Sequence, residues 1–269
     1  MPTLKVSIYL GRRKQTPFQS TSIPQSLISL GQELMSEHEV LDMGGHDRFY
    51  AARKATSLPS PARGMSLPRG FDRQTHRSMS KDVIGNLGEG IGIAALMHLA
   101  GVNPQRIVRA KRARNRVRAN QGRRMPDFVA ALPVGEGRNS IHRLIAQMQP
   151  SLPRRNALAQ QISAFPDRFP VEAKASSSGV GGGYWSGLWQ LIEYWHTIQA
   201  FKADPATIGF GILLYTSQLT REHRDLKIHI FCPLPNSPLI GRLRTLPSRR
   251  LTATDFKSHF GNGACFVGD

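Results

Sequence analysis

Residues 169–175, Phe-Pro-Val-Glu-Ala-Lys-Ala, constrain this chain more than any other stretch. An apolar run leads to Glu172, and Lys174 follows two residues later. Side chains two apart on a strand share a face, so the pattern predicts a short strand that ends with a carboxylate and an ammonium side by side. That pair suits a divalent cation beside a cationic helper. The bland alternative is an exposed ion pair on a strand, and the rest of the chain has to decide between them.

Periodicity around this strand predicts an α/β protein. Leu4, Val6, Ile8 and Leu10 alternate with mostly polar neighbours and predict a half-buried strand ending at Gly11. Leu27, Leu30, Leu34 and Met35 recur at helical spacing, and the run closes before Gly44-Gly45. Residues 56–81, rich in Ser, Pro, Arg and Gly, read as a linker or a long basic loop. Residues 1–75 are therefore expected to be an N-terminal extension and basic linker, with the main domain over 76–269. A helix is predicted from an N-cap at Ser80, with Asp82 in its first turn, to a stop at Gly101. Within it, Gly85, Gly88, Gly90 and Gly92 each cost about 1 kcal/mol relative to alanine, and close approach to a sheet would account for them. Glu89 is the only acid in that glycine-rich run.

Pro126-Asp127 opens an apolar strand, and two proline-bounded helices, around 140–149 and 154–164, read as an insertion over 135–166. The Ser/Gly stretch 176–183 lacks the Gly-Lys-Ser/Thr ending of a nucleotide-binding loop. In the next predicted helix, 184–202, Leu188, Leu191, Ile192, Trp195 and Ile198 form an apolar stripe that should pack on the sheet. Gln190 and Tyr194, one turn apart, are placed on the opposite side. Strands over 207–217 and 226–232 follow. His223 and His229 have no Cys or acidic partners at ligand spacing and are expected to be structural or exposed. Cys232 and Cys265 make neither a disulfide framework nor a zinc set. With no apolar run long enough to span a bilayer and no signal-peptide core, cytoplasmic residence is expected.

Charge narrows the partner. The chain has 36 Lys and Arg against 18 Asp and Glu, a formal +18, which a polyanion would neutralise. Nucleic acid is the first candidate. An anionic membrane ranks lower, because the cations do not oppose an apolar helical face. The densest stretch holds Arg106, Arg109, Lys111, Arg112, Arg114, Arg116, Arg118, Arg123 and Arg124 with no acid among them. Phosphate contact is its expected role, and binding should weaken steeply with salt.

The order is then helix with Glu89, basic strand, strand with Pro126-Asp127, strand with Glu172-Ala-Lys174, helix with Gln190 and Tyr194, strand. Over residues 80–232 this order and these motifs resemble the PD-(D/E)XK nucleases, the restriction-endonuclease-like superfamily, in its QxxxY-bearing variety. Pro166-Asp167 is a competing proline–acid pair, but Asp167 lies five residues before Glu172, too close for a separate neighbouring strand, so Asp127 is preferred. The resemblance implies a mixed central sheet flanked by helices in αβββαβ order. It implies Mg2+ or Mn2+ held by Asp127, Glu172 and the carbonyl of Ala173, with Glu89 acting through water. Lys174 would orient or help deprotonate the attacking water, and Gln190 and Tyr194 would position the nucleic acid or the lysine. The expected activity is phosphodiester hydrolysis in DNA, by an endonuclease in preference to an exonuclease. RNA cleavage shares the chemistry, and a non-cleaving nucleic-acid-binding or assembly subunit is the alternative. Action as a homodimer or with a partner protein stays open.

Overall fold

The computed structural model describes residues 3–11, 13–14, 19–21, 77–110, 125–146, 162–176, 183–200, 205–217, 223–233, 237–247 and 251–260. Within them lies an α/β architecture built on one mixed, open sheet. Its strands are β1 (Thr3–Leu10), β2 (Arg13–Lys14), β3 (Gln19–Thr21), β4 (Ile107–Arg109), β5 (Phe128–Ala131), β6 (Arg168–Ala175), β7 (Gly211–Ser217) and β8 (His223–Phe231). They lie in the order β2-β1-β8-β7-β6-β5-β4, with β3 also on β1. The β6–β7 and β8–β1 pairs are parallel and the others antiparallel.

Helices cover both faces, as a sheet with parallel pairs requires. Helix α1 (Arg77–Ala100) lies against β6 and β7, with α2 (Glu136–Ala146) packed on it. Ile91, Ala95 and Leu96 of α1, Ile141 and Leu144 of α2, and Val171, Ile212 and Ile228 of the sheet form one core. On the other face α3 (Gly183–Ala200) packs on the same two strands, and α4 (Leu239–Thr245) packs on α3. Leu188, Leu191, Ile192, Trp195 and Ile198 are buried in this second core, as their spacing predicts. Leu243 of α4 joins them, as do Phe256 and Phe260 of α5 (Ala253–Phe260).

Two glycines of α1 have a reason in packing. A Cβ on Gly88 would overlap Ala175 of β6, and one on Gly92 would lie 2.8 Å from Leu214 Cδ1 on β7. The helix thus approaches the sheet more closely than alanine would permit.

Several expectations are corrected. The N-terminal strand is not an extension apart from the domain, because β1 pairs with β8 along its whole length. Helix α1 starts at Arg77, three residues before the expected Ser80 cap. Helix α2, within the stretch expected as an insertion, packs on α1, and its Ile141 and Leu144 join the main core. The apolar run from 207 divides into a short 3-10 turn, Pro205–Thr207, and β7. The helix expected over 25–40 lies outside the described residues. So does the one over 154–164, except for its end.

Candidate active site

The site forms where two strands part. β5 and β6 pair from Ala131↔Arg168 to Phe128↔Val171. Beyond that point β6 continues through Glu172, Ala173 and Lys174 alongside β7. Asp127, one residue outside the ladder, turns its carboxylate into the gap. Its Oδ2 accepts a hydrogen bond from the Ala173 N–H (3.0 Å), while its own N–H donates to Glu172 Oε2 (3.0 Å). Each carboxylate thus satisfies a backbone donor of the opposite strand. Donor and acceptor of one strand residue face the same edge in such a ladder, so the Ala173 carbonyl also faces the gap.

Lys174 closes the arrangement. Its Nζ contacts Glu172 Oε1 directly and lies 3.9 Å from Asp127 Oδ2. Glu172 is wholly buried, whereas the Asp127 and Lys174 side chains are 20% and 23% exposed, so the centre opens toward solvent on their side. Burial, reinforced by the charge of Asp127, pushes the Glu172 carboxyl well above the usual carboxylate range despite Lys174. For Lys174, burial pulls the ammonium down, but Glu172, Asp127 and Glu89 together hold it above its ordinary value. Lys174 is therefore a persistent cation.

Glu89 comes from α1, next to the Gly88 that packs on Ala175 at the end of β6. Its charge acts on Lys174. It does not join Asp127 and Glu172 in one cluster, for among the described residues no group of three or more His, Cys, Asp or Glu side chains could hold a metal ion.

Gln190 and Tyr194 require a correction. Helix α3 is enclosed by the sheet on one side and by α4 on the other, and residues 191–198 are all buried. Tyr194 lies in the core at 9% exposure, so the pair does not form a polar face turned away from the apolar stripe. Gln190 instead reaches the strand that delivers Asp127, and its Nε2 donates to the Met125 carbonyl (2.9 Å). The helix can approach because residue 187 is glycine, where a Cβ would overlap Leu213 and lie 3.3 Å from Glu172 Cγ. A glycine inside an otherwise apolar helix was the available signal for this contact.

Asp167, the competing acid, is used elsewhere. Its two oxygens accept the N–H groups of Gly135 (2.9 Å) and Gly137 (2.8 Å) at the start of α2. Of the basic residues, Arg109 ends β4, while Lys111, Arg112, Arg114, Arg116, Arg118, Arg123 and Arg124 lie outside the described residues. The flanks of that segment are placed: the Ala110 N–H donates to the Asp127 carbonyl (3.1 Å), and Met125 is the partner of Gln190.

The donor set fits a small hard cation. Glu172 Oε2 and Asp127 Oδ2 are engaged by backbone N–H groups, which fixes both carboxylates; the second oxygens are Asp127 Oδ1 and Glu172 Oε1, the latter in contact with Lys174, with the Ala173 carbonyl beside them. Magnesium is commonly held by one or two carboxylates and completes its shell with water and phosphate oxygens. Two carboxylates against one ammonium, with a third carboxylate near, also leave excess negative charge for a cation to offset.

No helix among the described residues is long and apolar enough to cross a membrane. No family model, curated protein or solved structure matches the chain.

Proposed function

We propose that this chain is a metal-dependent nuclease with a restriction-endonuclease-like fold, hydrolysing phosphodiester bonds in DNA. The observation that carries this reading is the reciprocal brace of Asp127 and Glu172 at the parting of β5 and β6, with Lys174 set against both carboxylates. A surface ion pair has no need of a wholly buried carboxylate fixed by a neighbouring strand.

Asp127, Glu172 and the Ala173 carbonyl would hold Mg2+ or Mn2+, with Glu89 reaching it through water. The ion supplies Lewis acidity toward a phosphate oxygen and a water of lowered pKa. Lys174, kept protonated by its neighbours, orients the attacking water through its N–H donors and offsets the charge that grows on the phosphoryl oxygens. That makes it an electrostatic group rather than the proton acceptor. Gln190 fixes the approach of Asp127 by holding Met125. Residues 111–124, with seven Lys and Arg, follow Ala110 and precede Met125 in the sequence, and both of these flanking residues are bonded at the site; phosphate contact is the role proposed for that charge.

The test is incubation of purified protein with supercoiled, linear and single-stranded DNA and with RNA, under Mg2+, Mn2+ or EDTA. Nicking or linearisation of DNA that needs the metal and is lost in Asp127→Asn is the expected result. Cleavage undiminished in Asp127→Asn overturns the site. Binding without cleavage under every metal favours the assembly-subunit alternative, and cleavage of RNA alone corrects the substrate.

A further inference from the structure

The sheet face that carries Lys174 continues sideways into a second polar position. Tyr215 on β7 stands directly beside Lys174, and Lys227 on β8 stands beside Tyr215. Neighbouring strands lie about 4.8 Å apart, so Lys227 is rooted roughly 10 Å from Lys174.

Tyr215 is 2% exposed, and its Oη has no hydrogen-bond partner among the described residues. Buried hydroxyls are ordinarily paired, so this atom calls for a ligand. The first residue of α3 roofs the ring: a Cβ on Gly183 would overlap it and lie 3.0 Å from Cζ, the carbon that bears the hydroxyl. The hydroxyl therefore sits under the amino end of an 18-residue helix, where the helix dipole favours an anion.

Lys227 supplies the charge. It is half-buried, with Nζ 5.9 Å from the Tyr215 ring centroid, and makes no ion pair among the described residues. Asp225, two residues back on the same face, stands opposite Lys5. His229, two residues on, adds no charge. It is clamped between Tyr9 and Tyr184 (centroids 4.4 and 4.6 Å) and its Nδ1–H donates to the Gly11 carbonyl at 2.7 Å. Burial and the Lys227 charge hold its pKa down to about 4.

We infer that Lys227, the Tyr215 hydroxyl and the amino end of α3 form a second phosphate subsite, which holds the phosphate next to the scissile one on the same nucleic-acid strand. The identity of that phosphate rests on the proposed nuclease function; the capacity to bind an anion does not.

The probe is thymidine 3′,5′-bisphosphate, titrated calorimetrically into the full chain in EDTA. Lys227→Met should weaken binding about tenfold, as expected for loss of a charge-assisted contact, and the isosteric Tyr215→Phe about threefold. Lys257→Met, which removes an exposed lysine of α5, should leave it unchanged. Equal losses in Lys227→Met and Lys257→Met, or none in either, overturn the subsite. On cleaved DNA, Lys227→Met should raise KM about tenfold with kcat within about twofold. Lys227-dependent binding without any cleavage keeps the subsite and rejects the nuclease. Asp127-dependent cleavage with unchanged KM in Lys227→Met rejects the subsite alone.

Discussion

Two Pro-Asp pairs stand at opposite ends of one β-ladder. Pro126-Asp127 precedes β5 and Pro166-Asp167 precedes β6, and the two strands pair antiparallel between them. Locally they are alike. At one end both oxygens of Asp167 are taken by N–H groups at the start of α2, with no cation among its partners in the described residues. At the other, Asp127 gives one oxygen to a backbone donor and faces a second carboxylate and a lysine. A carboxylate saturated by amides is a helix cap. One that shares a partly desolvated gap with a like charge has affinity left for a cation.

The largest effect should separate these two acids at once. Asp127→Asn and Lys174→Met are each expected to lower cleavage about 10²–10⁴-fold, the range for losing a preorganised electrostatic group. Asp167→Asn should stay within about threefold of wild type on the same assay, because removing a cap acts on the fold rather than on the chemistry. Comparable losses at both aspartates would erase the distinction.

Gln190→Ala comes next. Losing the bond to Met125 should loosen only the Asp127 end and reduce kcat about tenfold. Stability should fall by about 1 kcal/mol, read from denaturant midpoints. A kcat equal to wild type would separate Gln190 from the positioning of Asp127.

Protons sharpen the contrast further. Folding raises the Glu172 pKa, so the native state binds more protons there than the unfolded chain. The contribution of this group to stability is therefore full below the unfolded carboxyl value, about 4.3, and is lost as pH rises through the folded one. In EDTA, the melting temperature of Glu172→Gln should gain on wild type as pH rises above the unfolded carboxyl value, until the folded carboxyl titrates. A constant difference across that range would sink the assignment. Metal loading should release the same proton, visible as buffer-dependent heats in calorimetry.

The smallest effect belongs to the cap itself. Asp167→Ala should cost about 1–2 kcal/mol, or about 2–8 °C in melting temperature for a protein of this size. Glu136→Ala, in the first turn of α2 and 39% exposed, should cost less.

Much of the site was legible because local chemistry and sheet geometry agree. Glu172 and Lys174 share a face by strand alternation alone, and the separation of only five positions from Asp167 to Glu172 ruled out adjacent strands. Gly88 and Gly92 announced a close helix–sheet approach, though not which strands they would meet. Other features depend on tertiary context. Tyr194 looked exposed because helical periodicity finds one buried face, whereas α3 is covered from a second side by helices in a region rich in proline and arginine. The i,i+4 pairs Leu239/Leu243 and Phe256/Phe260 were the signal for those helices. β1 looked detached because a long low-complexity stretch follows it, and no local pattern encodes a partner strand so far along the chain.

That last pairing has a consequence for assembly. Thr3 aligns with His223, 220 positions later (223 − 3), so β1 forms contacts of very high sequence separation, the kind that close late and slowly. Until they do, β8 is an open edge with Ile228 and Ile230 on one side, a template for other chains. Expression trials should find trimming of residues 3–10 punished by aggregation, although the strand carries none of the catalytic residues.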